Sequence, residues 1–294
     1  MGVGEDLIQQ ILMQALNGLV WGMIIALVAS GLSLIFGIMD VVNFAHGEFY
    51  MVGAYIGWLI IKLSNSFLLG LLGALASVAF LGMVVEILTL RPIRGRDPLY
   101  TLMAMFGLSI FAQQSILALF GPLAKEVKEP VAMKISFFAF EYPLYRLVVV
   151  GIALIIFLFA WLFLQKTKYG IWVRATMQDN VMASAMGIPV KRVYTLSFAL
   201  GAAMAATSGV LVAPIFSVYQ TMGLSIIVSA FIVVVIGGLG SLQGSILAAI
   251  LIGELQTLSS VWVSPTYAKV FSFLALIFVL LFRPQGLFSI SKRR

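Results

Sequence analysis

The sequence predicts an all-α fold: a polytopic membrane helix bundle of about eight to ten helices, with broken or re-entrant segments. Three observations lead there. The 294 residues are 62% hydrophobic and only 10% charged, against about 25% charged in a soluble globular domain. The apolar residues gather into long runs, each near the roughly 20 residues that one bilayer crossing needs. No polar block between them is long enough to fold by itself, so residues 1–294 read as a single transmembrane domain.

Composition also excludes several function classes. There are no cysteines, which removes disulfides, thiolate metal sites and cysteine nucleophiles. The single histidine, His46, removes multi-histidine metal sites. The net charge of +7 fits basic cytoplasmic loops better than nucleic-acid binding, because no basic and aromatic surface exists outside the apolar runs. The opening M-G-V-G-E-D has no basic stretch, so no cleaved signal peptide is expected.

The first apolar run, about 7–36, exceeds one crossing. Gly18, Gly22, Ala26 and Ser30 recur along it at every fourth residue, a stripe on which another backbone can approach closely. The second run, about 49–61, is too short to cross alone. Placing part of Gly37–Glu48 at membrane depth repairs both lengths. Irregular backbone is tolerated there only when buried in protein or lining a wet cavity.

The third run, about 67–90, carries Glu86 and precedes the basic R-P-I-R-G-R; Glu86 is expected to meet Arg91 or headgroup water. A fourth run covers about 99–120. The polar stretch 121–146 mixes both signs, and V-A-M-K-I-S-F-F-A-F within it suggests a small hairpin. After a fifth run (about 147–164) comes the longest cytoplasmic candidate, 165–191. Runs at about 193–212, 224–236, 246–261 and 269–282 complete the chain. Pro214 ends the first of these, Gly201, Ala205 and Gly209 give it a second small-residue stripe, and the glycine-rich Gly237–Ser245 links the next two.

Counting nine crossings from an outside N-terminus places the unbalanced basic groups on the cytoplasmic side: Arg91/Arg94/Arg96, Lys166/Lys168/Arg174, Lys191/Arg192 and Arg283/Lys292/Arg293/Arg294.

Four constellations carry candidate chemistry. Asp40, Asn43, His46 and Glu48 are ionisable or polar residues between hydrocarbon-length segments, which are costly without a function. On a helix the first three would share a face. They either line or gate a polar path, or cap helix ends, with Asn43 or Asp40 capping the second run. Tyr169–Pro189 reads as a short amphipathic helix with an apolar face of Ile171, Ala175, Met182 and Ala185, stopped by Gly187 and Pro189. It either lies on lipid or inserts into a partner's groove. G-G-L-G-S-L-Q-G-S reads as a tight turn, since a phosphate loop's Gly-Lys-Ser/Thr ending is missing. Glu254, deep in its run, is hydrogen-bonded in the bundle or protonated. A Ser–His dyad of His46 with Ser208 or Ser241 lacks an orienting acid and any G-x-S-x-G motif, so no enzyme is expected.

The same residues carry a resemblance. G-L-S-L-I-F-G-I-M-D-V-V-N-F-A-H-G-E-F-Y-M-V-G-A-Y resembles the signature of permease subunits of bacterial branched-chain amino-acid ABC importers, the Liv-type permeases. R-P-I-R-G-R, the Tyr169–Ile188 segment, the glycine link and R-P-Q-G-L-F are similar to it in the same order. The resemblance implies an ATP-driven importer in the bacterial inner membrane, working with a second, homologous permease (a heterodimer), two cytoplasmic ATPase subunits and a periplasmic binding protein. It implies no cofactor on this chain, with ATP and Mg used by the ATPases. Cargo would be branched-chain or other neutral amino acids, or urea or another small polar solute. It identifies Gly170–Ile188 with the family's coupling helix through Arg174, Ala175, Asp179, Ala183, Gly187 and Ile188, although the E-A-A tripeptide of other ABC permeases is missing. A secondary carrier driven by an ion gradient, with Glu254 or His46 as proton site, is the competing class.

Overall fold

The computed structural model describes residues 3–137 and 140–288. The structure is almost wholly helical. Helix α1 (Val3–Met39) is 37 residues long, about 55 Å at 1.5 Å per residue, well beyond the hydrocarbon thickness. It ends where Asp40 takes a φ of 51°. Helix α2 (His46–Ser64) follows a six-residue break, and α3 (Phe67–Val85) runs on through a π-helical turn, Glu86–Leu90, to Ile93. Asp97 caps α4 (Pro98–Phe120) by accepting from the Leu99 N–H at 2.8 Å, with Pro98 at the first helical position, where a missing N–H costs nothing.

The expected hairpin forms a little further along, as β1 (Lys134–Phe137) and β2 (Phe140–Pro143), antiparallel, with an ion pair of 3.0 Å between Lys134 and Glu141. Then come α5 (Leu144–Lys166), α6 (Lys168–Gln178), α7 (Asn180–Ala185), α8 (Val190–Val212), α9 (Met222–Gly237), α10 (Leu242–Ser259) and α11 (Pro265–Phe282). Among the described residues, six helices are long and apolar enough to cross a membrane: α1, α3 with its extension, α4, α5, α8 and α10; α9 and α11 are shorter apolar helices. The basic tail residues Lys292, Arg293 and Arg294 lie outside the described residues.

Two helices occupy the centre. The apolar windows of α1 and α8 are 83% and 89% buried, whereas those of α4 and α5 are 17% buried and form the outer wall. Lipid supplies no hydrophobic drive between helices, so close approach has to supply the stability through dispersion. Both small-residue stripes do this. A Cβ on Gly31 would stand 2.5 Å from the Gly201 carbonyl oxygen, and one on Gly22 would stand 2.9 Å from Ile250 Cα. Gly53 of α2 meets Ala206 of α8 in the same way.

Three boundaries differ from expectation. The glycine-rich link is shorter: α9 reaches Gly237 and α10 begins at Leu242, so the turn is Gly238–Ser241, with Gly238 and Gly240 at φ of 102° and 83°. Helix α2 starts at His46, three residues before its apolar run, where one polar atom each of His46 and Glu48 meets a partner from α1 and α4. The segment 165–191 forms two helices rather than one, broken at Asp179 (φ −156°, ψ 109°). The break turns the faces, so Val173, Thr176 and Ala183 are buried while Ile171, Met182 and Ala185 are exposed.

Candidate functional site

The break between α1 and α2 is inside the bundle. His46, wholly buried, places Nε2 at 3.1 Å from the Val28 carbonyl oxygen. Val28 lies about 16 Å back from the end of α1 at helical rise, so Asp40–Ala45 returns alongside the helix it has just left. A carbonyl only accepts, which makes Nε2 the protonated nitrogen and leaves Nδ1 as an acceptor, buried and without a partner. Asn43 is also wholly buried, and neither atom of its amide has a hydrogen-bond partner. Glu48 is 3% exposed; its Oε1 accepts from Ser109 Oγ at 2.7 Å and Gln113 Nε2 at 2.8 Å, while Oε2 is unpartnered. Buried polar groups are nearly always satisfied, so this density of exceptions is unusual.

Of the five residues singled out in the sequence, Asn43, His46 and Glu48 are buried at this break, His46 against α1 and Glu48 against α4. Asp40 does not join them, since no helix forms across the break and its side chain is exposed, beside a cleft it shares with Arg94 and Arg96. Glu254 is also apart: its carboxylate lies over Gly18 of α1. Nor does Asn43 or Asp40 cap α2, whose N-cap is Ala45 without any side-chain hydrogen bond.

Above this cluster, towards the N-terminal end of α1, opens a cavity of about 700 Å³. Ile24, Tyr50, Met222 and Ile226 form its apolar lining nearest the cluster. Ile24 is one turn before Val28 and Tyr50 one turn after His46, while Gly223 packs on Gly47 and Glu48: a Cβ there would stand 2.7 Å from Glu48 Oε2. The cavity therefore rests on the buried cluster. Its upper wall is polar. Trp21 Nε1 donates to Gln256 Oε1 at 2.8 Å, Gln256 Nε2 donates to Ser272 Oγ at 2.8 Å, and Asn17 Oδ1 accepts from both Tyr142 OH and Arg146 Nη1.

The opposite end of α1 meets the α6–α7 segment. Gly37 is packed between Met177 of α6 and Gly240 of the glycine turn. Thr167 caps α6 by accepting from the Gly170 N–H at 3.1 Å, and Arg174 donates to the Leu164 carbonyl. Asp179 Oδ1 accepts from the N–H groups of Val181 and Met182, both at 2.9 Å, which fixes the start of α7. Gly187, at φ 84°, ends the turn, with the Ile188 N–H donating to the Ala183 carbonyl at 3.1 Å. Ala183 is buried and Ala175 and Ile188 are half-buried, while Val181, Met182 and Met186 are exposed at 59% or more.

Beside this segment lies an ion cluster. Glu86, wholly buried in the π-helical turn, pairs with Arg91 at 3.1 Å and Arg94 at 2.7 Å, and accepts from Thr195 Oγ1 at 2.7 Å. The Arg94 guanidinium stacks 3.9 Å over the Tyr194 ring, whose hydroxyl accepts from Asn180 Nδ2 of α7 at 3.4 Å. The Arg91 pairing was expected; Thr195 and Tyr194 were not, because α8 joins α3 only in three dimensions, and Arg94, eight residues beyond Glu86, reaches back from past the helix end.

A family model described as "branched-chain amino acid transport system / permease component" matches residues 14–280. The chain belongs to this permease family. It is 33% identical to the high-affinity branched-chain amino acid transport system permease protein LivH of Escherichia coli strain K12 and to that of Salmonella typhimurium, over 94% of both chains in each case. It is 32% identical to BraD, of the same description, from Pseudomonas aeruginosa, over 94% of this chain and 95% of the relative. The family is one of transport permeases, and its helices here make this member a multi-pass membrane protein.

Proposed function

We propose that this chain is the membrane-spanning subunit of an ATP-driven importer that passes branched-chain or other neutral amino acids across the bacterial inner membrane by alternating access. Its partners are a second homologous permease subunit, two cytoplasmic ATPase subunits and a periplasmic binding protein. The chain itself holds no cofactor, and ATP and Mg are used by the ATPases. The N-terminus lies outside and the C-terminus in the cytoplasm, which puts Arg91, Arg94, Lys166 and Lys191 on the inner side.

One observation carries the reading beyond family membership. Helix α1 reaches both working ends: Asn17 and Trp21 line the cavity, and Gly37 touches Met177 in the α6–α7 segment. A movement imposed on that segment is transmitted along a packed helix to the cavity. In this reading residues 165–191 are the coupling loop. Val181, Met182 and Met186 touch the ATPase, while Arg174, Ala175, Asp179, Ala183, Gly187 and Ile188 give the segment its shape. Asn43, His46 and Glu48 form the closed gate beneath the cavity, and their unpartnered atoms are the groups that water or cargo meets when it opens.

The test is reconstitution in liposomes with the partner permease, the ATPases and the binding protein. Leucine uptake that requires ATP and all components is the expected result. Uptake by this chain alone, driven by a pH gradient, would overturn the reading in favour of a secondary carrier.

A further inference from the structure

The cavity has one charged pole. Arg146, at the start of α5, and Lys269, on α11, line it, and among the described residues no aspartate or glutamate does. Arg146 is half-buried and makes no ion pair among the described residues. Its guanidinium offers five N–H donors in a planar fork. One of them is used, on Asn17 Oδ1, which also accepts from Tyr142 OH; the Tyr142 ring lies 5.9 Å from the guanidinium carbon. Asn17 and Tyr142 therefore orient the fork without neutralising it. A half-buried cation without a counter-charge among the described residues is an arrangement that an anion completes. Below it, Ile24, Met222 and Ile226 form an apolar wall.

We infer that the cavity is a binding site for the transported solute itself, in which Arg146 takes a carboxylate and the Ile24–Met222–Ile226 wall takes a short aliphatic side chain. The inference rests on the importer reading and deepens it. It assigns to the permease a recognition step separate from that of the binding protein. Arg146 suits this role because its fork accepts both carboxylate oxygens at once. Gln14 Oε1 accepts one hydrogen bond, from Asn17 Nδ2 at 3.2 Å, and keeps a second lone pair near the same pole for an ammonium group. A volume of about 700 Å³ holds a leucine-sized zwitterion with part of its hydration, as a transit site requires.

The experiment uses the purified permease–ATPase complex in lipid nanodiscs, without the binding protein. Saturation-transfer NMR compares leucine with leucinol, which keeps the ammonium and side chain but lacks the carboxylate. The wild-type complex is expected to bind leucine at least about tenfold more tightly than leucinol, one charge-assisted contact's worth of affinity. Arg146→Gln is expected to abolish that preference, Arg146→Lys to retain part of it, and Lys134→Gln, in the exposed ion pair of the hairpin, to leave it in place. The inference is overturned if wild type binds the two equally, if it binds neither, or if Arg146→Gln keeps the preference. Should Arg146→Gln fail to assemble, the wild-type comparison and Arg146→Lys still decide. Failure of the importer reading shows separately, as absence of ATP-dependent uptake when the same complex is placed in liposomes together with the binding protein.

Discussion

His46 at the start of α2 donates from Nε2 to the carbonyl of Val28, eighteen residues earlier and about two-thirds of the way along α1. This single bond fixes the depth at which the chain resumes its helix. It also ties the first turn of α2, where Glu48 is buried, to the helix that lines the cavity. Replacing His46 with Ala removes the tie. Loss of one hydrogen bond to a buried group costs about 1–3 kcal/mol, too little to prevent insertion. His46→Ala and Asn43→Ala are expected to lower uptake severalfold while leaving the amount of assembled complex within about twofold of wild type. Uptake normalised to complex, quantified by immunoblot, makes the check; a parallel fall of both would mark the cluster as purely architectural.

Glu86 is the one acid shared by Arg91 and Arg94. Its removal leaves two guanidinium groups facing each other against a buried Thr195. Breaking a wholly buried pair costs about 3–5 kcal/mol, and the arginines here are 30–35% exposed, so Glu86→Gln is expected to cost about 2 kcal/mol. Thermal unfolding of the detergent-purified protein measures it. Combining Glu86→Gln with Arg94→Gln should cost less than the sum of the two, since residues in one network couple.

Where α1 crosses α8, Gly31 and Gly201 leave no room for a side chain: a Cβ on Gly201 would stand 2.8 Å from the Gly31 carbonyl oxygen. Gly201→Val is expected to destabilise by about 1–3 kcal/mol through overpacking. Gly151→Val is the matched control, because a Cβ at Gly151 meets nothing within 4 Å. Survival of the monodisperse peak after graded heating distinguishes the two.

Asp179 holds the start of α7 through two backbone N–H groups. Asp179→Ala removes a cap worth about 1 kcal/mol, and Gly187→Ala forces a side chain into the left-handed region at about 1–2 kcal/mol. Both changes are confined to the α6–α7 segment. Each is expected to reduce uptake or weaken ATPase co-purification while membrane insertion stays at the wild-type level. Unchanged uptake and co-purification in both variants would remove the coupling assignment.

Much of this architecture is legible in the sequence, and the exceptions have physical causes. Runs of about 20 apolar residues bounded by glycine, proline and charge locate α3, α4, α5 and α8 to within a few residues, because in lipid the length requirement is strict. The small-residue stripes announce the α1–α10 and α1–α8 crossings for the same kind of reason. Helix α2 was harder to delimit: His46 and Glu48 look like loop residues until Val28, Ser109 and Gln113 come up to meet them. The division at Asp179 was readable, since an aspartate two and three residues before free N–H groups is a standard cap, but a glycine-proline stop further on drew the whole segment into one helix. Arg146 gave no signal. It sits in a stretch of balanced charge, and its isolation from every carboxylate exists only after α1, α5 and the hairpin have packed.

The order in which α2 finds its neighbours bears on how the protein is made. Its first turn rests on Val28, already synthesised, but Gly53 packs on Ala206 and Gly47 on Gly223, both far downstream. Helix α2 is also not among the helices apolar and long enough to be secured by lipid alone. A nascent chain that stops before α8 would therefore carry an α2 with neither hydrophobicity nor partners to keep it at depth. In ribosome-arrested chains ending before Val190, a cysteine placed at Ala54, wholly buried in the finished fold, is expected to react with a water-soluble maleimide, and in chains extended past Gly237 to become protected. The translocation machinery would then be releasing an unfinished hairpin whose second arm is put in place from within the protein.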